Sequence, residues 1–502
     1  MTAEPTVVAS TGRTAVVLGG SVAGLATGLF LARQGVAVTV FDHDETVGEP
    51  VADPATAEVR RSTPQAAHSH IFLSRLRTLL AERAPDVLQA LRDAGAHEIA
   101  MADGRPDPLV GEPLPRGDEL VALAVRRSVF EAVVREAARA QEGLELVAGR
   151  SVHGLAFGEP LDGIPVVTGA VLDDGTVVEA DLVIDASGRR TSVPSWLAEV
   201  GVDPPTEVVE CGIAYVSRFY ERRPGATPPR LTRGFTTGSS FDRYSCLVFP
   251  GDDRTFSVTF GVLPEDRDLR GLSDPDAFHA AVSAIPSLAW WVQPHNARPI
   301  SEARTMTGLK NRLRRYWVDG VPLVLGLAAV GDAVSTTNPA HSRGTSLAFV
   351  QAASIADAAV VAGDDLVVFA AAVDEAVTVN LEPWFHDSIA QDAVRLSRWR
   401  SDAGAEAPVP PAGAVANGEA AGAAMVDAQV WARFARLQNL LEDPDAVLAD
   451  PELVASVRQV QASGRRAPAA TAPSHDELAA LVAEHKGAAR RLVVDRPVAK
   501  AS

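Results

Sequence analysis

The apolar run Thr14-Ala15-Val16-Val17-Leu18 ends in Gly19-Gly20-Ser21-Val22-Ala23-Gly24, and a second apolar run, Val36 to Phe41, ends in Asp42. This order constrains the chain more than any other feature. It predicts a strand, a tight turn, a helix over about residues 22–34, and a second strand that closes on a carboxylate. Gly19 suits the tight turn. A small residue at position 21 lets backbone approach a pyrophosphate, and Gly24 lets the helix pack closely on the strand. The pyrophosphate then rests at the positive end of the helix. Asp42 follows Gly24 by 18 residues, close to the ~20-residue offset of a ribose-binding carboxylate. Such a unit binds the ADP half of a dinucleotide, here with Ser21 where the fingerprint usually has its middle glycine.

The chain has 502 residues, enough for two or three domains and a large buried core. Its 64 acidic residues outnumber 46 basic ones, for a net charge of −18, and no basic stripe occurs. No nucleic-acid partner is expected. Cys211 and Cys246 form neither CxxC nor a metal-ligand spacing, so free thiols in a reducing compartment are expected. Arg13 and residues 14–31 superficially resemble a signal peptide, but the glycine turn interrupts the apolar run. No stretch reaches the ~18 apolar residues of a membrane span. A cytoplasmic location without stable membrane insertion follows as an expectation.

The expected fold class is α/β. Residues 1–13 read as a flexible tail, and 14–205 as the first part of a nucleotide-binding domain. Within it, residues 166–178 form a hairpin turning on Asp173-Asp174-Gly175, and a buried strand ends in Asp185-Ala186-Ser187-Gly188. Residues 206–300, with β-branched and aromatic runs between Pro, Gly and Asp clusters, read as an inserted, mostly antiparallel sheet against which a substrate lies. Residues 301–400 return to the nucleotide domain through Gly331-Asp332 and a long helix at about 345–362. Residues 401–426, rich in Ala, Gly and Pro, read as a linker or mobile loop. Residues 427–502 read as a C-terminal helical region whose last helix starts near Ser474.

Together, the glycine turn with Asp42, Asp185-Ala186-Ser187-Gly188 and Gly331-Asp332 resemble, in order, FAD-dependent monooxygenases of the p-hydroxybenzoate-hydroxylase type, over roughly residues 14–360. Arg61-Ser62-Thr63-Pro64-Gln65 with His68-Ser69-His70, Arg127 before Phe130-Glu131, and Thr336-Thr337-Asn338-Pro339 running into Arg343-Gly344 resemble the branch of natural-product and polyketide hydroxylases and epoxidases. The resemblance implies a Rossmann-like FAD domain, an inserted substrate sheet and C-terminal helices. It implies that Gly19, Ser21 and Gly24 hold the pyrophosphate and Asp42 the adenosine ribose. Arg61, preferred over Arg60 from its place in the motif, and Arg127 would lie near the phosphates and ribityl chain. Asp185, Gly331 and Asp332 join the cofactor site, with Asp332 accepting from ribityl hydroxyls. Pro339 to Gly344 would pass beneath the isoalloxazine, their N–H groups facing its electron-rich edge; Ser342 stands there in place of a frequent glycine.

The implied activity is insertion of one oxygen atom from O2 into a small apolar, aromatic or polyketide-like substrate through a flavin C4a-(hydro)peroxide. Hydroxylation and epoxidation are both open. Electrons would come from NAD(P)H, directly or through a separate flavin reductase. No protein nucleophile is expected. His68, His70 and His341 are the candidates for contacting substrate or moving protons, His341 because an ordinary histidine titrates near ~6.5; surface or packing roles remain open for each. Two histidines at i, i+2 with no third ligand make poor metal spacing, so no metal site is expected. Tyr215, Phe219 and Tyr220 wall a pocket or pack a sheet, and Trp290-Trp291 read as core or pocket lining. The alternative activity is a FAD-dependent reductase or dehydrogenase acting on an isoprenoid or polyketide double bond. A flavin halogenase is disfavoured, because no Trp-x-Trp-x-Ile-Pro pattern occurs and no lysine lies between the glycine turn and Lys310.

Overall fold

Thr14–Leu18, Ala37–Asp42, Leu144–Ala148, Leu182–Asp185 and Leu327–Ala329 form one parallel sheet in the order Leu327–Ala329, Leu182–Asp185, Thr14–Leu18, Ala37–Asp42, Leu144–Ala148. The central strands read as near-continuous apolar runs because both faces are covered, one by helices such as Val22–Arg33 and Gly344–Ala362 and the other by the antiparallel strands Val152–Phe157 and Val167–Leu172 with helix Val193–Ala198. The computed structural model describes residues 12–114, 119–400 and 409–487. Residues 1–11 of the expected tail and 401–408 of the expected linker lie outside the described residues. Register explains why three motifs far apart in sequence share one place. Leu18 pairs with Phe41 and with Asp185, and Asp185 pairs with Ala329. The segments that follow these residues therefore emerge side by side at the carboxyl edge of the sheet, where open α/β sheets bind ligands.

Helix Val22–Arg33 packs on this sheet through Gly24, where an added Cβ would lie 1.9 Å from the Gly19 carbonyl oxygen. Helix Gly344–Ala362 packs on Val22–Arg33, with Phe349 edge-on to Phe30 at 6.2 Å and to Phe130 at 5.5 Å. This helix corrects one expectation. At 19 residues, with a mean hydropathy of 1.5 over an 18-residue window, it is long and apolar enough to cross a bilayer. Here 72% of its apolar window is buried within the protein, so its hydropathy reflects a core position.

The inserted sheet is antiparallel, in the order Thr237–Ser240, Tyr244–Pro250, Thr255–Val262, Ala214–Arg222, Ala297–Pro299, with Arg304–Met306 also paired to Ala214–Arg222. Side chains alternate across it as the pleat requires. Val216, Cys246, Val248, Val258 and Phe260 face a core shared with helices Pro275–Ser283 and His475–His485. Tyr215, Ser217, Ser245, Leu247, Thr259 and Gly261 face a cavity on the other side. Tyr220 and Trp291 belong to the core, Tyr220 stacking on Phe256 at 5.4 Å.

Two boundaries differ from expectation. The Ala/Gly-rich stretch contains a helix, Asn417–Ala424, whose Ala420, Ala423 and Ala424 pack on helix Ala428–Gln438. Glu419 accepts from the Ala416 N–H at 2.9 Å and receives Gln461 and Arg458 from helix Pro451–Ser463. Gly418 and Gly422 obscured this short amphipathic pattern. The expected C-terminal region also divides. Helix His475–His485, started by the reciprocal Ser474–Glu477 capping box, packs on the inserted sheet's core and not with its sequence neighbours.

Gly24→Ala is expected to cost about 3 kcal/mol, because the contact it violates is with backbone. Gly422→Ala, an exposed helical position with nothing within 4 Å of the new methyl, is expected to stabilise by about 1 kcal/mol. Urea unfolding of the two variants checks the opposite signs.

Candidate functional site

The turn after the first strand brings backbone together at the sheet edge. Gly19 has φ +109° and donates its N–H to the Phe41 carbonyl at 2.8 Å; an added side chain would meet the Ala186 carbonyl oxygen at 2.7 Å. Gly20 donates to Asp42 Oδ2 at 2.7 Å, and Asp44 N donates to Asp42 Oδ1 at 2.8 Å, which orients this buried carboxylate. Ser21 starts helix Val22–Arg33 but does not cap it. Its hydroxyl donates to Glu131 Oε2 at 3.1 Å, leaving the first helical N–H groups turned to a cavity.

That cavity has a volume of about 500 Å³. Ser21, Val22, Ala23, Arg127, Gly331 and Asp332 form one side, and Pro339, Ser342, Arg343 and Gly344 another. The Arg127 guanidinium is buried, donates to Thr345 Oγ1 at 3.1 Å and lies 3.5 Å from Glu131 Oε2, while its Nε has no partner. Burial lowers its proton affinity, and Glu131 and Asp332 oppose that. Asp332 is open to the void; the protein around it raises its pKa against the pull of Arg189, Arg127 and Arg312. A buried cation with a free donor, a helix N-terminus and a carboxylate facing the same void fit the pyrophosphate and ribityl chain of FAD. Arg127 and the N–H groups after Ser21 would hold the phosphates, and Asp332 the hydroxyls.

Two expected cofactor residues take other roles. Arg61 is exposed and lies outside the cavity wall. Its neighbour Arg60 is the enclosed one, bonding Glu131 at 2.7 Å and Asp44 at 3.2 Å and lying 4.0 Å from Asp42. Asp185 is fully buried and turned into its own loop, where it accepts from the Ser187 N–H at 3.0 Å and from Thr191 Oγ1 at 2.6 Å. It shapes the turn that places Ser187, Gly188 and Arg189 on the cavity wall.

The segment Pro339–His341 is a single tight turn capped by Asn338, whose Oδ1 accepts from Ala340 N at 3.0 Å. It ends at Ser342 with φ +55°. This left-handed conformation explains why glycine is frequent at such a position, and a serine there is strained by about 1–2 kcal/mol. The N–H groups of Ala340, His341 and Ser342 are used within the turn. Only those at the start of helix Gly344–Ala362 remain for an isoalloxazine edge, a narrower set than the sequence implied. Arg343 is fully buried, paired with Asp387 at 2.5 Å and stacked over Trp384 at 4.8 Å, which fixes the turn to helix Glu382–Arg400.

Beyond this turn lies a second cavity of about 410 Å³. The two share His68, Ser69, Met306, Pro339 and Ser342. Tyr215, Leu247 and Phe249 wall it on the sheet side, and Trp399, Trp431 and Phe434 close it from the C-terminal helices. A buried network holds the partition. Asn338 accepts from Tyr215 Oη at 2.6 Å and donates to Asp392, which also receives Asn311 at 2.8 Å and Arg395 at 2.7 Å. Asn311, Asp392 and Arg395 were missed in the sequence reading because Asn311 lies on strand Lys310–Arg314, far in sequence from helix Glu382–Arg400, which carries the other two, and no spacing signal links them; Asn338 was quoted only as part of a motif.

His68 Nδ1 lies 3.1 Å from Ser217 Oγ, and burial, aided by Arg304, lowers its pKa to about 4. His70 donates Nδ1–H to the His68 carbonyl at 2.9 Å, and burial followed by Arg127 lowers it to about 3. His341 lines the second cavity with Nε2 unpartnered, held well below the ordinary value by burial, Arg343 and Arg395. The expectation that His341 titrates near the ordinary histidine value is therefore corrected: all three imidazoles are neutral at neutral pH.

Compared with protein-family signatures, the chain matches none. It is 28% identical over 367 residues to Protein Rv3254 of Mycobacterium tuberculosis, covering 67% of this chain and 71% of that protein. Its fold is similar to PqsL of Pseudomonas aeruginosa, a probable FAD-dependent monooxygenase, with 15% identity, 77% of this chain and 96% of that chain covered, and a TM-score of 0.53. It is also similar to the flavin-dependent brominase Bmp2, with 14% identity, 90% and 100% covered, and a TM-score of 0.57. The fold is thus shared with these two proteins and agrees with the expected α/β architecture with an inserted antiparallel sheet.

Arg127→Gln is expected to weaken FAD binding about 10- to 100-fold, the range for losing a charged hydrogen bond, while Arg61→Gln changes it less than about twofold. Titration of the FAD-free protein with FAD checks both. A second expectation concerns pH. His68 and His70 are neutral when folded and protonate near ~6.5 when unfolded, so the stability they contribute is complete above that value. It is lost as pH falls from about 6.5 toward their folded values of about 4 and about 3. His68→Asn should make stability fall less steeply between about pH 6.5 and about pH 5, by up to about 1.4 kcal/mol per pH unit, in urea unfolding series.

Proposed function

We propose that the chain is a FAD-dependent monooxygenase that inserts one oxygen atom from O2 into a small apolar, aromatic or polyketide-like substrate. The observation that carries this reading is the pair of cavities meeting at Pro339–Ser342, one fitted to a dinucleotide and the other walled by aromatic side chains. When bound, FAD supplies the electrons and the oxygen chemistry, with one atom of O2 going to substrate and the other to water. Reducing equivalents come from NAD(P)H, directly or through a separate flavin reductase.

The chain's own residues bind, orient and exclude. Arg127 and the helix start after Ser21 neutralise phosphate charge. The start of helix Gly344–Ala362 would offer N–H groups and a positive dipole end to the negative charge of a reduced flavin. Tyr215, Phe249, Trp399 and Trp431 hold substrate away from water, which suppresses wasteful loss of reduced oxygen species. At the junction, Ser69 bonds Ser257 at 2.7 Å, and Thr259 donates to Ser217 at 2.8 Å. These hydroxyls, with neutral His68, hold polar atoms or pass protons without adding charge.

The brominase likeness extends to fold alone. No lysine lines the apolar cavity among the described residues, and Lys310 borders the dinucleotide cavity and pairs with Glu210 at 2.9 Å. This favours oxygen insertion over halogenation.

The test supplies the FAD-loaded protein with NADPH or NADH, a flavin reductase in a parallel reaction, a panel of aromatic and polyketide-like compounds, and isotopically labelled O2. A product carrying one labelled oxygen is expected. A substrate reduced or desaturated without label would replace this reading with that of a reductase or dehydrogenase.

A further inference from the structure

Helix His475–His485 meets the inserted sheet's domain through a histidine with a carboxylate at each ring nitrogen. His475 Nε2 lies 2.7 Å from Asp266 Oδ2, and Nδ1 lies 3.1 Å from Asp476 Oδ1. An ionised carboxylate only accepts, so both nitrogens donate at once only when the ring is an imidazolium. His475 is 5% exposed and the Asp266 side chain 7% exposed, while Asp476 stands in solvent. Asp266 is fixed by its own turn, where Oδ1 accepts from Asp268 N at 3.0 Å and from Leu269 N at 3.1 Å. Burial alone would lower the proton affinity of His475. Asp266 and Asp476 outweigh it and Arg243 opposes them, so the pKa lies above the ordinary histidine value. This is the reverse of His68, His70 and His341, which burial keeps neutral.

The other charged groups at this contact come from the elements packed against the helix. From the turn between strands Thr237–Ser240 and Tyr244–Pro250, Asp242 accepts from the His475 N–H at 3.2 Å, and Arg243 pairs with Asp476 at 2.9 Å. Glu477, on the helix itself, is taken up by the cap with Ser474. Asp274, the cap of helix Pro275–Ser283, accepts from the Gly487 N–H at 3.1 Å at the far end, and His279 of that helix faces Arg218 and Asp276 instead. The apolar contribution is small. Leu478 and Val482 are the buried apolar side chains of the helix, and Val482 sits over Gly271, where an added Cβ would lie 2.5 Å from it. When the ring loses its proton, one nitrogen becomes an acceptor turned toward a carboxylate, and Asp266 loses its ionic partner.

The helix also anchors a strap. Residues 465–473 are neither helix nor strand and lead from helix Pro451–Ser463 to Ser474; where they end, Tyr244 Oη donates to the Pro473 carbonyl at 2.7 Å. The strap walls an outer groove of about 1280 Å³, which borders the apolar cavity at Ser239, Ser240 and Met425. We infer that protonated His475 is a clasp: it holds helix His475–His485 and the end of the strap against the inserted sheet, and loss of its proton loosens both. The direction follows from linkage. An undocked histidine titrates near ~6.5, so below that value the ring is protonated in both states and docking is at full strength. Docking weakens as pH rises from there through the higher docked value. The clasp stands apart from the oxygen-inserting activity and does not depend on it.

The experiment follows amide hydrogen exchange of residues 475–485 in the full chain across neutral and mildly alkaline pH, corrected for the intrinsic rate, with strand Thr255–Val262 as the reference. Protection of the helix is expected to hold steady up to about pH 6.5 and then to fall by up to about tenfold per pH unit, while the strand stays level. Asp266→Asn should flatten that fall. Gly271→Ala, which crowds Val482 without touching the ring, should lower protection at every pH and keep the fall. Helix protection that ignores pH in the parent protein, or a fall undiminished in Asp266→Asn, would overturn the inference. If Asp266→Asn leaves the helix unprotected throughout, the imidazole proton resonances of the parent protein decide. A histidine signal that disappears in His475→Gln and titrates above about 6.5 supports the clasp, and one that titrates at or below that value overturns it.

Discussion

Asp392 draws three stretches of chain to one point, and the partition between the two cavities depends on it. Its buried carboxylate receives Asn338 from the turn before Pro339, Asn311 from strand Lys310–Arg314, and Arg395 from its own helix. Asn338 in turn receives the Tyr215 hydroxyl from the inserted sheet. A buried carboxylate that loses a partner leaves an uncompensated charge, a loss of about 3–5 kcal/mol. The turn therefore has one well-satisfied position. It can carry Ser342 in a left-handed conformation because Asn338 on one side and Arg343 on the other over-determine it.

The two cavities use charge in opposite ways. Around the polar one cations and carboxylates are set against each other: Arg127 and Asp332 both line the void, and behind the wall Glu131 joins Arg127 to Arg60, which also meets Asp44 and Asp42. A dinucleotide entering there displaces part of this internal pairing with its own phosphates and hydroxyls. The apolar cavity has neutral histidines, hydroxyls, Arg395 paired with Asp392, and Arg233, which is exposed and donates to Ser239. Electrostatic interactions in such a site are strong because little solvent screens them. Parallel strands supply the first cavity through their carboxyl ends, and the alternation of the antiparallel sheet supplies the second through one of its faces.

The legible parts of the sequence were those governed by short-range rules. The glycine turn, the strand pattern and the carboxylate after the second strand encode a βαβ unit within 30 residues, and the structure places Gly19, Gly24 and Asp42 accordingly. Gly331, Asp332, Arg127, Pro339 and Gly344 lie on the cavity or its rim because motif order follows strand order. Choosing between Arg60 and Arg61 depended on which side of an irregular loop faces inward, and no periodicity reports that. Asp185 looked like a ligand because strand ends face ligands, yet Ser187 and Thr191 turn its carboxylate inward. The roof formed by Asn417–Ala424 was hidden by its glycines, and the placement of His475–His485 on the inserted sheet is a long-range contact that local pattern cannot express.

The central claim is that the carboxyl edge of the parallel sheet holds FAD beside an apolar cavity, and flavin stoichiometry tests it most directly. The protein would be purified, its absorption spectrum recorded, and its flavin released and quantified before and after incubation with FAD and gel filtration. The account predicts about one FAD per chain, with a flavin spectrum that shifts when an aromatic compound is added. A chain that folds but retains no FAD after reconstitution would contradict it.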